Sequence, residues 1–176
     1  MSLQARVRNA DFLSRRMSAA QAAQLIEHGA TLGLSGFTGA GYPKALPQAI
    51  AERARAEHAA GRPFQVNVWT GASTAPEVDG ALAQAGAMAQ RLPFNSDAST
   101  RQQINAGTID YIDMHLSHVA QQAWFGFLGK LDVAIVEVAG ITPDGRLIPS
   151  TAVGNNKTWL AVADKVILEV NTRLPE

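Results

Sequence analysis

The sequence predicts an α/β fold: an open, mostly parallel sheet with helices on both faces and one small hairpin. Three observations point there. Short apolar runs alternate with helix-like segments along the whole chain. Two of these runs, "LDVAIVEVAG" and "DKVILEVN", are apolar almost throughout, as strands covered on both faces require. "ITPDGRLIPS" breaks the rhythm, and its Pro143-Asp144-Gly145 is the turn signal that marks the hairpin.

Each element follows in order. Ser18 to Gln21 reads as a capping box before a short helix that Gly29 stops. "ATLGL" is a buried strand. "PKALPQAIAERARAEHAAG" is a helix with Pro43 in its first turn and Gly61 past its end. Pro47 is tolerated early in it, because first-turn amides lack intrahelical partners. "FQVNVWTG" alternates as a strand until Gly71. "APEVDGALAQAG" and "STRQQINAG" are short helices, while "AMAQRLPF" and "TIDYIDM" are strands. "LSHVAQQAWFGFLG" has helical periodicity, with Ser117 as its N-cap. Trp69, Trp124 and Trp159 are apolar-flanked and read as core or interface. There is no internal repeat or linker, so 176 residues form one domain, which buries roughly two-thirds of its unfolded surface.

Composition excludes several functions. A formal net charge of zero, with scattered basic residues, does not suit nucleic acid. The densest basic cluster, "RNADFLSRR", reads as a solvated face. Without cysteine there is no disulfide, thiol nucleophile or thiolate metal site. No apolar run approaches the roughly 18 residues of a membrane span, and the N-terminus lacks the apolar core of a signal peptide. The expected compartment is the cytoplasm.

The chemistry concentrates in "SGFTGAGYPK", Ser35 to Lys44, where a strand, a glycine loop and a helix N-terminus succeed one another. That order suits an anion. Gly36 and Gly41 are spaced as in a phosphate-binding P-loop, but Tyr42 and Pro43 stand where Lys and Ser/Thr belong. Gly39-Ala40-Gly41 begins a dinucleotide fingerprint, but Lys44 replaces its third glycine. Two readings remain: amides presented to a carboxylate or oxyanion, or a tight turn. "TGAST" (Thr70 to Thr74) and "FNSDAST" repeat the pattern of small polar residues beyond a strand, and together the three turns suggest a shared polar cleft. "IDMHLSHVAQ" gathers Asp113, His115, Ser117 and His118 without completing a metal site. His115 is the member expected near the cleft. Glu137 and Glu169 lie inside apolar runs. Each is either an acid, base or nucleophile of raised pKa, or a group at a sheet edge or with a buried partner.

These segments, in this order, resemble the acetyl-CoA hydrolase/transferase family of class I CoA-transferases, particularly its succinyl-CoA:acetate CoA-transferases and acetyl-CoA hydrolases. The resemblance runs from about Arg8 to Asn171 and rests on "SGFTGAGYPKALP", "TGAS", "VDGAL", "RLPFNSDASTRQQIN", "DMHLSHVAQ", "LDVAIVEVAGITPDGRLIPSTAVGNN" and "DKVILEVN". It implies that residues 1–176 form the N-terminal CoA-transferase domain of a two-domain enzyme of acetate metabolism. That enzyme moves CoA between acetyl-CoA or succinyl-CoA and a small carboxylate through a glutamyl-CoA thioester, with acetyl-CoA hydrolysis as a second outcome. The nucleophilic glutamate belongs to the C-terminal half, absent from this chain; neither Glu137 nor Glu169 matches it. The resemblance places Phe37, Thr38, Gly39, Ala40 and Gly41 on the substrate cleft, with Ser73 and Ser96 facing it. It implies CoA thioester as substrate, no permanently bound cofactor or metal, a homodimer when complete, and an inactive isolated chain. A non-catalytic ligand-binding or assembly domain of the same fold is the alternative, and a self-contained hydrolase using "DMHLSH" is more distant.

Overall fold

The structure, a computed structural model, describes residues 2–175. Three short helices lead in: α1 (Leu3–Arg6), α2 (Ala10–Ser14) and α3 (Ala19–Ala23). The α/β body follows as β1 (Thr31–Leu34), α4 (Ala45–Ala59), β2 (Val66–Thr70), a π-helical turn (Pro76–Gly80) running into α5 (Ala81–Gln84), and β3 (Met88–Leu92). Then come α6 (Ala98–Asn105), β4 (Asp110–Tyr111), α7 (Leu116–Trp124), β5 (Val133–Ile141), β6 (Leu147–Pro149), α8 (Asn156–Val162) and β7 (Lys165–Val170). Six strands pair in parallel, β4-β3-β2-β1-β5-β7, and β6 returns antiparallel on β5 as the expected hairpin. Its turn is closed by Thr142, whose amide donates to the Arg146 carbonyl at 2.9 Å, with Gly145 at φ +83°.

Two cores cover the two faces. On one, α3, α4 and α5 pack Ala23, Ile50 and Leu82 against Leu32, Val66 and Val68. On the other, α7 and α8 pack Val119 and Trp159 against Trp69, Ala134 and Val136. Every residue of β5 is buried, as a central parallel strand requires. Gly33 leaves room for the Trp159 indole, whose Nε1 donates to the Leu34 carbonyl at 3.1 Å. Trp69 and Trp159 are core, as expected. Trp124 is 56% exposed, because it ends α7 on the side turned from the sheet.

Three further expectations are corrected. The helix expected from Pro43 begins at Ala45, because the carboxylate of Glu169 reaches across from β7 and fixes its start. Glu169 accepts from the amides of Lys44 (2.6 Å), Ala45 (3.0 Å) and Leu46 (2.9 Å). The N-cap of α7 is His115, not Ser117: its Nδ1 accepts the Ser117 amide at 3.3 Å. β7 is not covered on both faces; Lys165 and Val166 are exposed and the rest only half-buried. The Ser18–Gln21 capping box is present as read.

Glu169 therefore stabilises the whole α4 start from a distant strand. Glu169→Ala leaves three amides of that first turn without their acceptor, at a cost of about 1–2 kcal/mol. Urea denaturation is expected to show this as a lower midpoint with an unchanged slope.

Candidate functional site

The strand order reverses between β1 and β5, and β1 delivers the glycine loop at that switch point. Ligands of open α/β sheets bind there, beyond the carboxyl ends of the strands. A cleft of about 620 Å³ opens at this end, lined by residues that follow β1 (Phe37, Thr38), β2 (Ala72), β3 (Pro93, Phe94) and β4 (Asp113, Met114, His115, Leu116). Its wall is apolar apart from Thr38, Asp113 and His115. Phe37 and Phe94 are each 46% exposed into it.

The loops at the cleft are held in strained conformations. Among the described residues, Thr38 (φ +48°) and Ala72 (φ +62°) are the two non-glycine residues in left-handed conformations. Both line the cleft, and they bond each other: the Thr38 amide donates to the Ala72 carbonyl at 2.9 Å, and the Thr74 amide to the Thr38 carbonyl at 3.2 Å. A β-branched residue at positive φ persists only where its surroundings over-determine it, and such strain gathers at functional sites. Phe37 and Ala40 exchange amide–carbonyl bonds of 2.9 and 3.1 Å, making Thr38-Gly39 the tip of a two-residue turn. The backbone packing beneath is so close that a Cβ on Gly36 would lie 2.6 Å from the Ala40 carbonyl oxygen, and one on Gly154 2.2 Å from that of Gly36.

An ion pair with both side chains fully buried fixes the other side of the cleft. Arg91 Nε donates to Asp79 Oδ1 at 2.6 Å, Nη1 to Thr70 Oγ1 at 3.1 Å and to the Leu92 carbonyl, and Nη2 to the Ser73 carbonyl at 2.7 Å. Asp79 Oδ2 accepts the Ala75 amide at 3.0 Å. One guanidinium thus ties the ends of β2 and β3 to the π-helical turn, next to the cis Leu92–Pro93 peptide.

The expected residues are distributed as follows. Phe37 and Thr38 line the cleft. Gly39 is exposed at the turn tip, Ala40 closes the turn, and Gly41 is buried below, its carbonyl accepting from Ser35 Oγ at 2.7 Å. Ser73 is buried behind Ala72, and its Oγ has no partner. Across Gly71, whose Cβ would lie 2.7 Å from the Asn155 amide nitrogen, the Nδ2 of Asn155 is buried and unpartnered as well. Ser96 is exposed and stands back from the lining, its Oγ donating to Thr74 Oγ1 at 3.3 Å. His115 reaches the cleft, as expected. Asp113 lines it too, whereas Ser117 and His118 serve α7. Among the described residues, no group of three His, Asp or Glu is placed to hold a metal ion.

Both carboxylates in apolar strands bind groups of this domain, although the Oε1 of Glu137 is buried without a partner. Glu137 and Glu169 are register partners on β5 and β7. Glu137 is 1% exposed and accepts from Lys44 Nζ at 2.5 Å and from Asn171 Nδ2 at 3.3 Å. The helix N-terminus that the sequence offered to a ligand anion already holds the Glu169 carboxylate. The amide of Gly39, by contrast, has no protein acceptor among the described residues. Sequence reasoning missed Ala72, Pro93, Phe94, Met114 and Leu116 as lining. Their one signal is position, just past the ends of the strands that carry the polar turns.

Two predictions follow from these anchors. Asp79→Asn leaves the Arg91 charge buried without its counter-ion, so a loss of about 3–5 kcal/mol is expected in chemical denaturation. Burial, and then the Glu77 carboxylate 3.2 Å from its hydroxyl, hold the Tyr42 phenol above its usual value of 10.0. The unfolded chain then loses that proton before the folded one does, so stability falls as pH rises past about 10. In Tyr42→Phe the alkaline decline should be shallower, as read by melting temperature between pH 8 and 11.

Similarity to known proteins agrees with this geometry. The acetyl-CoA hydrolase/transferase N-terminal domain model matches residues 1–176. The chain is 45% identical over 156 residues to the propanoyl-CoA:succinate CoA transferase of Escherichia coli, covering 89% of this chain and 32% of the relative. It is 41% identical over 170 residues to the succinyl-CoA:acetate CoA-transferase of Clostridium kluyveri, covering 97% and 31%. The chain thus spans about a third of the length of these relatives. The structure superposes on glutaconate coenzyme A-transferase from Acidaminococcus fermentans with a TM-score of 0.63 at 13% identity, over 87% of this chain and 68% of the other, a likeness of fold. The chain, matched over its full length, belongs to the acetyl-CoA hydrolase/transferase family, of which it is an N-terminal domain.

Proposed function

We propose that this chain forms one wall of the acyl site of an enzyme that moves CoA between an acyl-CoA, acetyl-CoA or succinyl-CoA, and a small carboxylate. The observation that carries this reading is the convergence of two strained, mutually bonded loops on an apolar cleft at the carboxyl ends of β1 to β4. Phe37 and Phe94 suit the methyl or methylene part of an acyl group, and the free Gly39 amide suits its oxygen. The unpartnered Ser73 Oγ and Asn155 Nδ2 are buried beneath the same loops, behind the lining.

In this reading the nucleophile is the glutamate that the family resemblance assigns to a second half of the same polypeptide. Its carboxylate oxygen attacks the thioester carbonyl and CoA thiolate leaves, forming an acyl-glutamyl anhydride. The thiolate then attacks the glutamyl carbonyl, releasing the first carboxylate and leaving glutamyl-CoA. An incoming carboxylate repeats these steps in reverse. If water takes the place of that carboxylate, the outcome is hydrolysis. The apolar wall supports the reading because such anhydrides require a site that excludes water. The complete enzyme is proposed as a cytoplasmic homodimer with CoA thioester as substrate and no resident cofactor. Among the described residues, no helix is long and apolar enough to cross a membrane.

The 176-residue chain alone is expected to show no thioester exchange, and the full-length protein to show it with acetate or succinate as acceptor. Full-length protein without exchange activity would favour a non-catalytic binding or assembly domain instead.

A further inference from the structure

We infer that Asp113 sets the substrate class of the cleft: it disfavours acids that carry a second carboxylate and leaves short monocarboxylic acids as the preferred acyl groups. The inference rests on the reading of the cleft as an acyl site and adds a selectivity to it.

The order of the strands lays out the cleft. β1, β2, β3 and β4 are successive neighbours in the sheet, so the loops after them stand in a row at the carboxyl ends. Three strand spacings, about 14 Å, separate the first strand end from the last. The β1 end of the row carries the Thr38-Gly39 turn tip, with its unpaired Gly39 amide. Ala72, Pro93 and Phe94 form the apolar middle, and Asp113 and His115 stand at the β4 end. An acyl oxygen held at Gly39 therefore sends the rest of its chain over apolar side chains toward Asp113. A cleft of about 620 Å³ leaves room for a chain of several carbons.

Among the described residues, Asp113 is the one fixed charge on this lining. Its carboxylate is exposed, accepts no hydrogen bond and meets no cation at salt-bridge distance among those residues. No Lys or Arg lines the cleft, and Arg91, which ties the loops after β2 and β3, is fully buried and paired with Asp79. His115 supplies a donor but no permanent charge. Its Nδ1 accepts from the Ser117 amide at 3.3 Å and from Ser117 Oγ at 2.7 Å, which leaves the proton of the neutral ring on Nε2. The field of Asp113 is felt along this wall: burial, and then the Asp113 carboxylate, hold the Tyr111 phenol above its usual value of 10.0.

A monocarboxylic acid has its one charge at the reacting end, and thioester formation removes it. A dicarboxylic acid keeps a second charge, which this wall meets with an apolar surface and a like charge. Charges within about 10 Å of each other are not fully screened by salt, and an apolar cleft screens them less than open water does. The repulsion grows with chain length, because each added methylene brings the second carboxylate nearer the β4 end. A chain that ends in a methyl group lies on Pro93 and Phe94 without that cost. Of the two donors proposed above, acetyl-CoA is the one this wall favours.

The test uses the full-length protein, acetyl-CoA as donor, and acceptors paired by carbon number: malonate with propionate, succinate with butyrate, glutarate with valerate. The ratio of kcat/KM for each dicarboxylate to that for its partner is read at low salt. Asp113→Asn is expected to raise this ratio at least about threefold for glutarate, less for succinate and least for malonate. The gain is expected to shrink in about 0.5 M salt. Asp113→Glu keeps the charge, and its ratios should stay within about twofold of those of the unsubstituted protein. Asp113→Ser makes the same comparison if the Asn variant does not fold. Ratios that ignore the loss of charge, rise equally at every length, or rise in Asp113→Glu as well overturn the inference. Exchange with unchanged ratios fails this inference alone, whereas no exchange with any acceptor fails the reading beneath it.

Discussion

The cleft depends on one buried charge. Taking a guanidinium and a carboxylate out of water costs several kcal/mol each, and the fold recovers that only if most of the remaining donors find acceptors. Arg91 satisfies four of its five N–H donors from three places: the Asp79 carboxylate on the π-helical turn, Thr70 and Ser73 at or just past the end of β2, and Leu92 at the end of β3. These groups must converge for the charge to be buried at all. The requirement therefore fixes where the β2 and β3 loops stand relative to one another, and with them Ala72, Pro93 and Phe94 on the cleft wall.

The glycine loop is fixed from both ends by comparable means. At its exit, Lys44 donates its backbone amide to Glu169 and its ammonium to Glu137, so one residue bridges two register-paired carboxylates. At its tip, Thr38 bonds the strained loop after β2. A left-handed threonine costs of order 1–3 kcal/mol, and isolated it would relax. Held between these anchors it cannot. The result is a turn with an exposed Gly39 at its tip, whose amide has no protein acceptor among the described residues.

Much of this was legible in the sequence and some was not, for physical reasons. The strands, the capping box at Ser18 and the hairpin at Pro143 to Gly145 are local signals, and each is found where it was read. The glycine loop was also singled out by a local signal, its unusual spacing. What failed were statements that depend on distant partners. Pro43 looked like a helix start, but the start is set by a carboxylate 125 residues away in sequence. The same carboxylate occupies the helix N-terminus that seemed open to a ligand. Asp79 and Arg91 read as ordinary members of a helix and a strand, since nothing in "PEVDG" or "AQRLP" announces that they meet with both side chains wholly buried. Ala72 carries no mark of a positive φ, because alanine is not a residue that predicts one.

The uncovered apolar side chains show how this domain stands toward the rest of an enzyme. Those of the cleft, Phe37 and Phe94, sit at the carboxyl ends of the strands; those beside β7 sit at the sheet edge; Trp124, Phe125 and Phe127 cluster after α7. Leu116 opens α7 at the cleft and Trp124 closes it, so a nine-residue helix of roughly 13 Å separates the first surface from the third. Of the three, the proposed acyl site makes the most specific demand: shielding an anhydride from water requires an apolar surface opposite Phe37 and Phe94.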